Sequence, residues 1–118
     1  MTFNSNKAIY LQIAESITDD ILAGKLTPNN RVPSIRDLSA QFQVNVNTVT
    51  RALEHLQHSE VVYNQRGIGF FVAENAPGTI LETRRHNFMN NELPSICHQM
   101  KLMNITAEEF LNIYNQIK

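Results

Sequence analysis

Residues 32–72, VPSIRDLSAQFQVNVNTVTRALEHLQHSEVVYNQRGIGFFV, decide the fold. Pro33 closes an extended segment, because its ring fixes φ and it has no N–H to donate. Ser34 then has the chemistry of a helix N-cap, with Asp37 three residues on in a shortened capping box. Ile35, Leu38, Ala40 and Phe42 supply an apolar face for a short helix, and the pattern breaks at Gln43. Asn45 is placed to cap a second helix, predicted over 46–58, whose apolar stripe is Val46, Val49, Ala52, Leu53 and Leu56. The other side of that helix carries Asn47, Thr48, Thr50 and Arg51 in its first half. Two short helices joined tightly, the second polar at its N-terminal end, describe a helix-turn-helix with its second helix shaped for a DNA major groove. After Glu60 the period changes. Val61, Val62 and Tyr63 read as a strand, Asn64 to Gly69 as a turn with Arg66 at its tip, and Phe70, Phe71 and Val72 as the returning strand. A hairpin in that place is a wing. Arg31 and Val32 are placed to add a third, short strand.

Upstream, a helix is predicted from about Lys7 to Ala23, with Ile9, Ile13, Ile17 and Ile21 recurring every four residues and Gly24 as its C′ residue. Met1 to Asn6 read as a frayed arm, and Leu26 to Asn30 as a turn containing Pro28. Downstream, Ala76-Pro77-Gly78 marks a boundary, which predicts a DNA-binding domain over 1–75 and a helical tail over 76–118. In the tail, Met89, Leu93, Ile96, Met100 and Met103 alternate spacings of four and three, the seam of packed helices. Pro94 falls inside that run and is expected to kink or split it. Thr106 and Glu109 form a capping box that opens a last helix, with Phe110, Ile113, Tyr114 and Ile117 on its apolar side.

These residues carry a family resemblance. The motifs are Tyr10-Leu11-Gln12-Ile13, Gly24-Lys25-Leu26-Thr27-Pro28, Arg31-Val32-Pro33-Ser34-Ile35-Arg36-Asp37-Leu38, Asn45-Val46-Asn47-Thr48-Val49, Ala52-Leu53, Arg66-Gly67 and Gly69-Phe70-Phe71-Val72. In order and spacing they resemble the N-terminal winged helix-turn-helix of the GntR family of bacterial transcription regulators, over roughly the first two-thirds of the chain. The short helical remainder resembles the small YtrA-like branch. Three positions depart from the pattern. Gln43 stands where the family often has Gly, Ser59-Glu60 replaces a usual Glu-Gly, and Ile68 replaces a basic or small polar wing residue. The resemblance implies a mainly α fold with a small β wing, a winged helix-turn-helix followed by a two-helix C-terminal dimerisation tail. It also implies a homodimeric repressor that binds a palindromic double-stranded DNA operator.

The expected DNA-binding residues are Ser34, Arg36, Asn45, Asn47, Thr48, Thr50, Arg51, Arg66 and Gly67. Asn can pair bidentately with adenine and Arg with guanine, and a helix N-terminus such as that at Ser34 suits a phosphate. Arg36, Arg51 and Arg66 are expected to converge on one face. The expected dimerisation residues are Met89, Leu93, Ile96, Met100 and Met103. The competing reading is a winged helix that contacts protein without sequence-specific DNA binding. For enzymes, no residue constellation stands out. Gly67-Ile68-Gly69 is not a dinucleotide fingerprint, and there is no phosphate-binding Gly-Lys-Ser/Thr loop and no nucleophile elbow.

The balance of 10 basic and 11 acidic side chains gives a net charge of −1, so a DNA surface has to come from local charge rather than the total. The 118 residues suit one modest domain plus an appendage, with no room for a large effector domain, so no deep ligand pocket is expected within one tail and any effector is unknown. A single cysteine, Cys97, excludes an internal disulfide and a Cys-rich zinc site. His55 and His58 share a helical face but lack a third ligand, so neither metal nor cofactor is expected. With no signal peptide and no membrane span evident, the expected location is the cytoplasm, with no membrane partner.

Overall fold

The computed structural model describes Phe3 and residues 6–118. The arm expected at Met1 to Asn6 therefore lies mostly outside the described residues. The elements are α1 (Ile9–Leu22), α2 (Ile35–Phe42), α3 (Val46–His58), β1 (Val62–Gln65), β2 (Gly69–Val72), α4 (Ala76–Asn87), a π-helical turn (Phe88–Glu92), α5 (Leu93–Leu102) and α6 (Ala107–Gln116). The chain divides into two compact units, Met1–Leu81 and Glu82–Lys118.

In the first unit, α1 turns Ile13, Ala14, Ile17 and Ile21 inward, α2 adds Leu38 and Phe42, and α3 adds Val49, Ala52, Leu53 and Leu56. Val32, Val61, Val62 and Val72 close this core from the sheet side. Three residues assigned to apolar faces lie outside it. Ala40 is exposed, and Val46 is 51% exposed at the first position of α3. Ile9 likewise stands at the open end of α1, at 44% exposure. The two buried polar side chains of α1 are satisfied: Gln12 Nε2 donates to the Lys7 carbonyl at 2.8 Å, and Thr18 Oγ1 to the Glu15 carbonyl at 2.8 Å.

Helix ends are set by local chemistry. Ser34 Oγ accepts from the Asp37 N–H at 3.0 Å, and Asn45 Oδ1 from the Thr48 N–H at 2.9 Å. α1 and α3 close with the same pair of reverse bonds. In α1, Lys25 N–H donates to the Asp20 carbonyl at 2.9 Å and Gly24 N–H to Ile21 at 3.1 Å. In α3, Val61 N–H donates to Leu56 at 2.9 Å and Glu60 N–H to Gln57 at 3.0 Å. Both are Schellman endings, which require a left-handed residue at C′. In α3 that residue is Glu60, at φ 63°. A side chain there costs about 1–2 kcal/mol, of which glycine's larger unfolded-state entropy would return part. Glu60→Gly is therefore expected to stabilise the protein by roughly 0.5–1 kcal/mol, read as a higher urea midpoint at unchanged slope. A lower midpoint would show that Glu60 makes a compensating contact. Gln43 holds the same left-handed conformation (φ 56°) between α2 and α3.

The wing is a two-stranded antiparallel sheet in the register Val62↔Val72, Tyr63↔Phe71, Asn64↔Phe70 and Gln65↔Gly69. Its first strand begins one residue later than the sequence pattern suggests, because Val61 is used to close α3. Tyr63 and Phe71 stack across the ladder at 5.6 Å between centroids. The third strand expected from Arg31 and Val32 is reduced to one bridge, Arg31↔Phe71, since Pro33 ends the pairing.

The boundary expected at Ala76-Pro77-Gly78 is helical. α4 begins there, and Ala76 (0% exposed) and Ile80 (3%) belong to the core of the first unit. In the second unit the helix runs unbroken from Glu82 to Leu102. Pro94 does not split it, because the turn before it is π-helical and Leu93 N–H reaches back to the Phe88 carbonyl, five residues earlier. A π turn takes up the misfit of a proline ring that would otherwise crowd the carbonyl four residues before it. α5 ends in another Schellman pair, Ile105 N–H to Met100 at 2.8 Å and Asn104 N–H to Lys101 at 3.3 Å, with Asn104 at φ 58°. Thr106 and Glu109 form the expected reciprocal capping box of α6.

Candidate nucleic-acid interface

The stripe that buries α3 leaves Asn47, Thr50, Arg51, Glu54 and His58 on its opposite side. Several of the expected contact residues already have structural partners. Asn45 Oδ1 accepts from both the N–H and, at 3.1 Å, the hydroxyl of Thr48. Thr50 donates its hydroxyl proton to the Val46 carbonyl at 2.9 Å. Ser34 is the α2 cap. Among the described residues, Arg36, Asn47 and Arg66 have exposed side chains with no partner. They stand in the first turn of α2, the first turn of α3 and the wing tip.

Arg51 is engaged. Its guanidinium carbon lies 4.1 Å from the centre of the Tyr10 ring on α1, and His55 meets the same ring edge-on at 6.0 Å. A cation over an aromatic face is held there by the ring quadrupole, at about 0.5–1 kcal/mol for an exposed pair. Arg51 is thus oriented by α1 and does not stand as a third open cation beside Arg36 and Arg66.

At the wing tip, Ile68 N–H donates to the Gln65 carbonyl at 2.9 Å, and Gly67 supplies the positive φ (80°) that this turn requires. Ile68 is 53% exposed. Gly69 has a separate reason to be glycine. A Cβ there would lie 3.1 Å from Arg31 Nε and 3.2 Å from Nη2, so the Arg31 side chain is laid along the wing.

Tyr10, Arg31 and Val46 therefore join the candidate surface although their pattern did not mark them as site residues. Tyr10 and Arg31 both sit in family motifs, and that was the available signal. Val46 sits in a family motif too, but its spacing fits the core stripe, which is the opposite signal. The expected dimerisation residues all fall in the second unit, where Leu93 and Met100 are half-buried and Met89, Ile96 and Met103 exposed. Among the described residues no cluster of three His, Cys, Asp or Glu side chains could hold a metal ion, and no helix is long and apolar enough to cross a membrane. An open depression of about 550 Å³ on the first unit is lined by Lys7, Gln12, Glu15, Asp19 and Phe42, with Lys7 and Glu15 paired to each other.

Residues 9–72 match the family of bacterial regulatory proteins called gntR. The chain belongs to the GntR family. It is a transcriptional regulator with a DNA-binding helix-turn-helix. Among GntR relatives, the HTH-type transcriptional repressor YtrA of Bacillus subtilis is 33% identical over 66% of this chain, which spans 60% of that protein. A GntR-family transcriptional regulator from Bacteroides thetaiotaomicron is similar along nearly the whole length, with 43% identity, a TM-score of 0.81, and coverage of 92% of this chain and 95% of that one. The DNA-binding domain of AraR, solved in complex with an operator, is 30% identical with a TM-score of 0.55, covering 62% of this chain and 89% of that one.

Proposed function

We propose that this GntR regulator is a repressor of the small YtrA-like branch. As a homodimer it binds a palindromic operator, α3 of each protomer entering a major groove and the wing lying beside the backbone. The DNA reading rests chiefly on the exposed, unpartnered Arg36, Asn47 and Arg66, carried by the first turn of α2, the first turn of α3 and the wing turn. The AraR domain, a relative solved on its operator, supports that reading, and the name of YtrA supports repression. Winged helix and tail divide the work, reading DNA and pairing protomers respectively.

The dimer rests on one observation: no residue from Glu82 to Lys118 is buried within the chain. Helices that cover nothing of their own are stable when a second copy covers them, and a two-fold axis buries the same surface twice. The tail residues proposed for that contact are Met89, Leu93, Ile96, Met100 and Met103. An effector, if one exists, would meet this interface and not a pocket inside one tail.

A gel-shift titration against the promoter region of its own operon tests the assignment. Arg66→Ala is expected to weaken binding across sequences and to reduce the salt slope by about one charge per protomer. Asn47→Ala is expected to relax sequence preference, costing roughly 1–3 kcal/mol at the preferred site. If both variants bind as the parent does, this surface is not the DNA contact, and a protein-interaction role for the winged helix takes its place.

A further inference from the structure

We infer that Val46 is a specificity-determining residue that reads a thymine methyl group in each half-site; this rests on the reading of α3 as the major-groove helix. Val46 is a β-branched apolar side chain, 51% exposed at the first position of α3. The core does not need it, since Val49, Ala52, Leu53 and Leu56 complete the buried stripe. On the helix surface Thr50 is the neighbour of both Val46 (i+4) and Asn47 (i+3), which puts the three on one side. Thr50 has committed its hydroxyl proton to the Val46 carbonyl at 2.9 Å, so it offers a methyl group and an acceptor but no donor. The side chains at the entering end of the helix thus present two apolar groups and one bidentate amide.

The edges of base pairs in the major groove carry a single apolar group, the C5-methyl of thymine, and adenine is the base that an Asn amide pairs with bidentately. One face that holds Val46, the Thr50 methyl and Asn47 is therefore matched to adjacent A·T pairs, the amide on adenine and the methyls on thymine. A guanine or cytosine opposite Val46 would lose a polar contact with water and gain nothing. This preference is separate from the adenine contact of Asn47, because it depends on a methyl group and not on hydrogen bonding.

The experiment uses the full chain. A duplex is selected from a random pool, and each thymine of one half-site is then replaced in turn by deoxyuridine, which deletes only the methyl. One position is expected to weaken binding by about fourfold, the worth of one buried methyl. Val46→Ala is expected to bind the parent duplex a few-fold more weakly and to lose its sensitivity at that same position. The exposed site makes the variant safe for folding, and its melting temperature checks this. If every deoxyuridine duplex binds as tightly as the parent, or if Val46→Ala keeps the full penalty, the inference is overturned. Selection of no duplex at all would remove its premise, the DNA-binding role of α3, and is a distinct result.

Discussion

Replacing Leu93 and Ile96 together by Glu is expected to convert the protein to a monomer and to weaken operator binding by about 10²–10³-fold. The magnitude comes from linkage. When one protomer is bound, the second half-site is met at the effective concentration set by the dimer, and losing that connection removes an avidity of this order. The residues are chosen because Leu93 is half-buried and Ile96 is 38% exposed in a unit without a buried residue. Around them Phe88, Met89, Leu102 and Met103 are exposed at 42–72%. A soluble monomer seldom shows a contiguous apolar patch above a few hundred Å². Two glutamates per chain at the centre of a two-fold contact place four carboxylates close together and desolvate them, which the association cannot offset. Glu is a good helix former, so α5 itself should persist. Sedimentation at micromolar concentration gives the oligomeric state, and titration of a full operator and an isolated half-site gives the linkage. The half-sites are expected one helical turn apart, about 34–36 Å. Parent and variant should bind the isolated half-site alike. A parent that sediments as a monomer yet holds the full operator tightly would remove the tail from this role.

The helix-turn-helix was legible because its signals are local and redundant. α3 begins and ends where the caps at Asn45 and Ser59 put it, and the stripe Val49, Ala52, Leu53 and Leu56 agrees with those ends. The wing turn was legible from Arg66-Gly67, where only a positive φ closes the hairpin. The departures at Gln43 and Glu60 were visible as unusual residues. Their meaning, two non-glycine side chains held in the left-handed region, needed the backbone.

What failed to show in the sequence has a common cause, that periodicity reports a face but not where the partner elements stop. Val46 lies at the edge of the α3 stripe, past the end of what packs against it, so an apolar pattern position became an exposed one. Ala40 on α2 is exposed likewise. Arg51 reads as a free cation in sequence, and only the approach of α1 shows that Tyr10 holds it. Pro94 reads as a kink or a break because the pattern assumes an α-helical turn before it. The π-helical turn at Phe88–Glu92 lets the helix continue.

The boundary of the winged unit is the misreading with the largest consequence for stability. Pro77 and Gly78 look like a linker, but Pro is well suited to the first turn of a helix, where its missing N–H has no intrahelical partner to lose. α4 accordingly starts at Ala76 and brings Ile80 one turn later into the same core as Leu53 and Val72. Removing a buried Ile side chain to Ala costs about 2–5 kcal/mol. A unit of this size has a total stability of the order of 4–12 kcal/mol. Ile80→Ala in the full chain is therefore expected to lower the melting temperature of the winged unit by roughly 8–40 °C, at about 4–8 °C per kcal/mol. A chain ended after Asn75 loses Ala76 as well and should be mostly unfolded at 37 °C, whereas one ended after Asn87 keeps the whole of α4 and should unfold cooperatively. Thermal melts followed by circular dichroism compare the three. Equal melting temperatures for the chains ended at Asn75 and Asn87 would mean that α4 contributes nothing to the core and that the unit is complete without it.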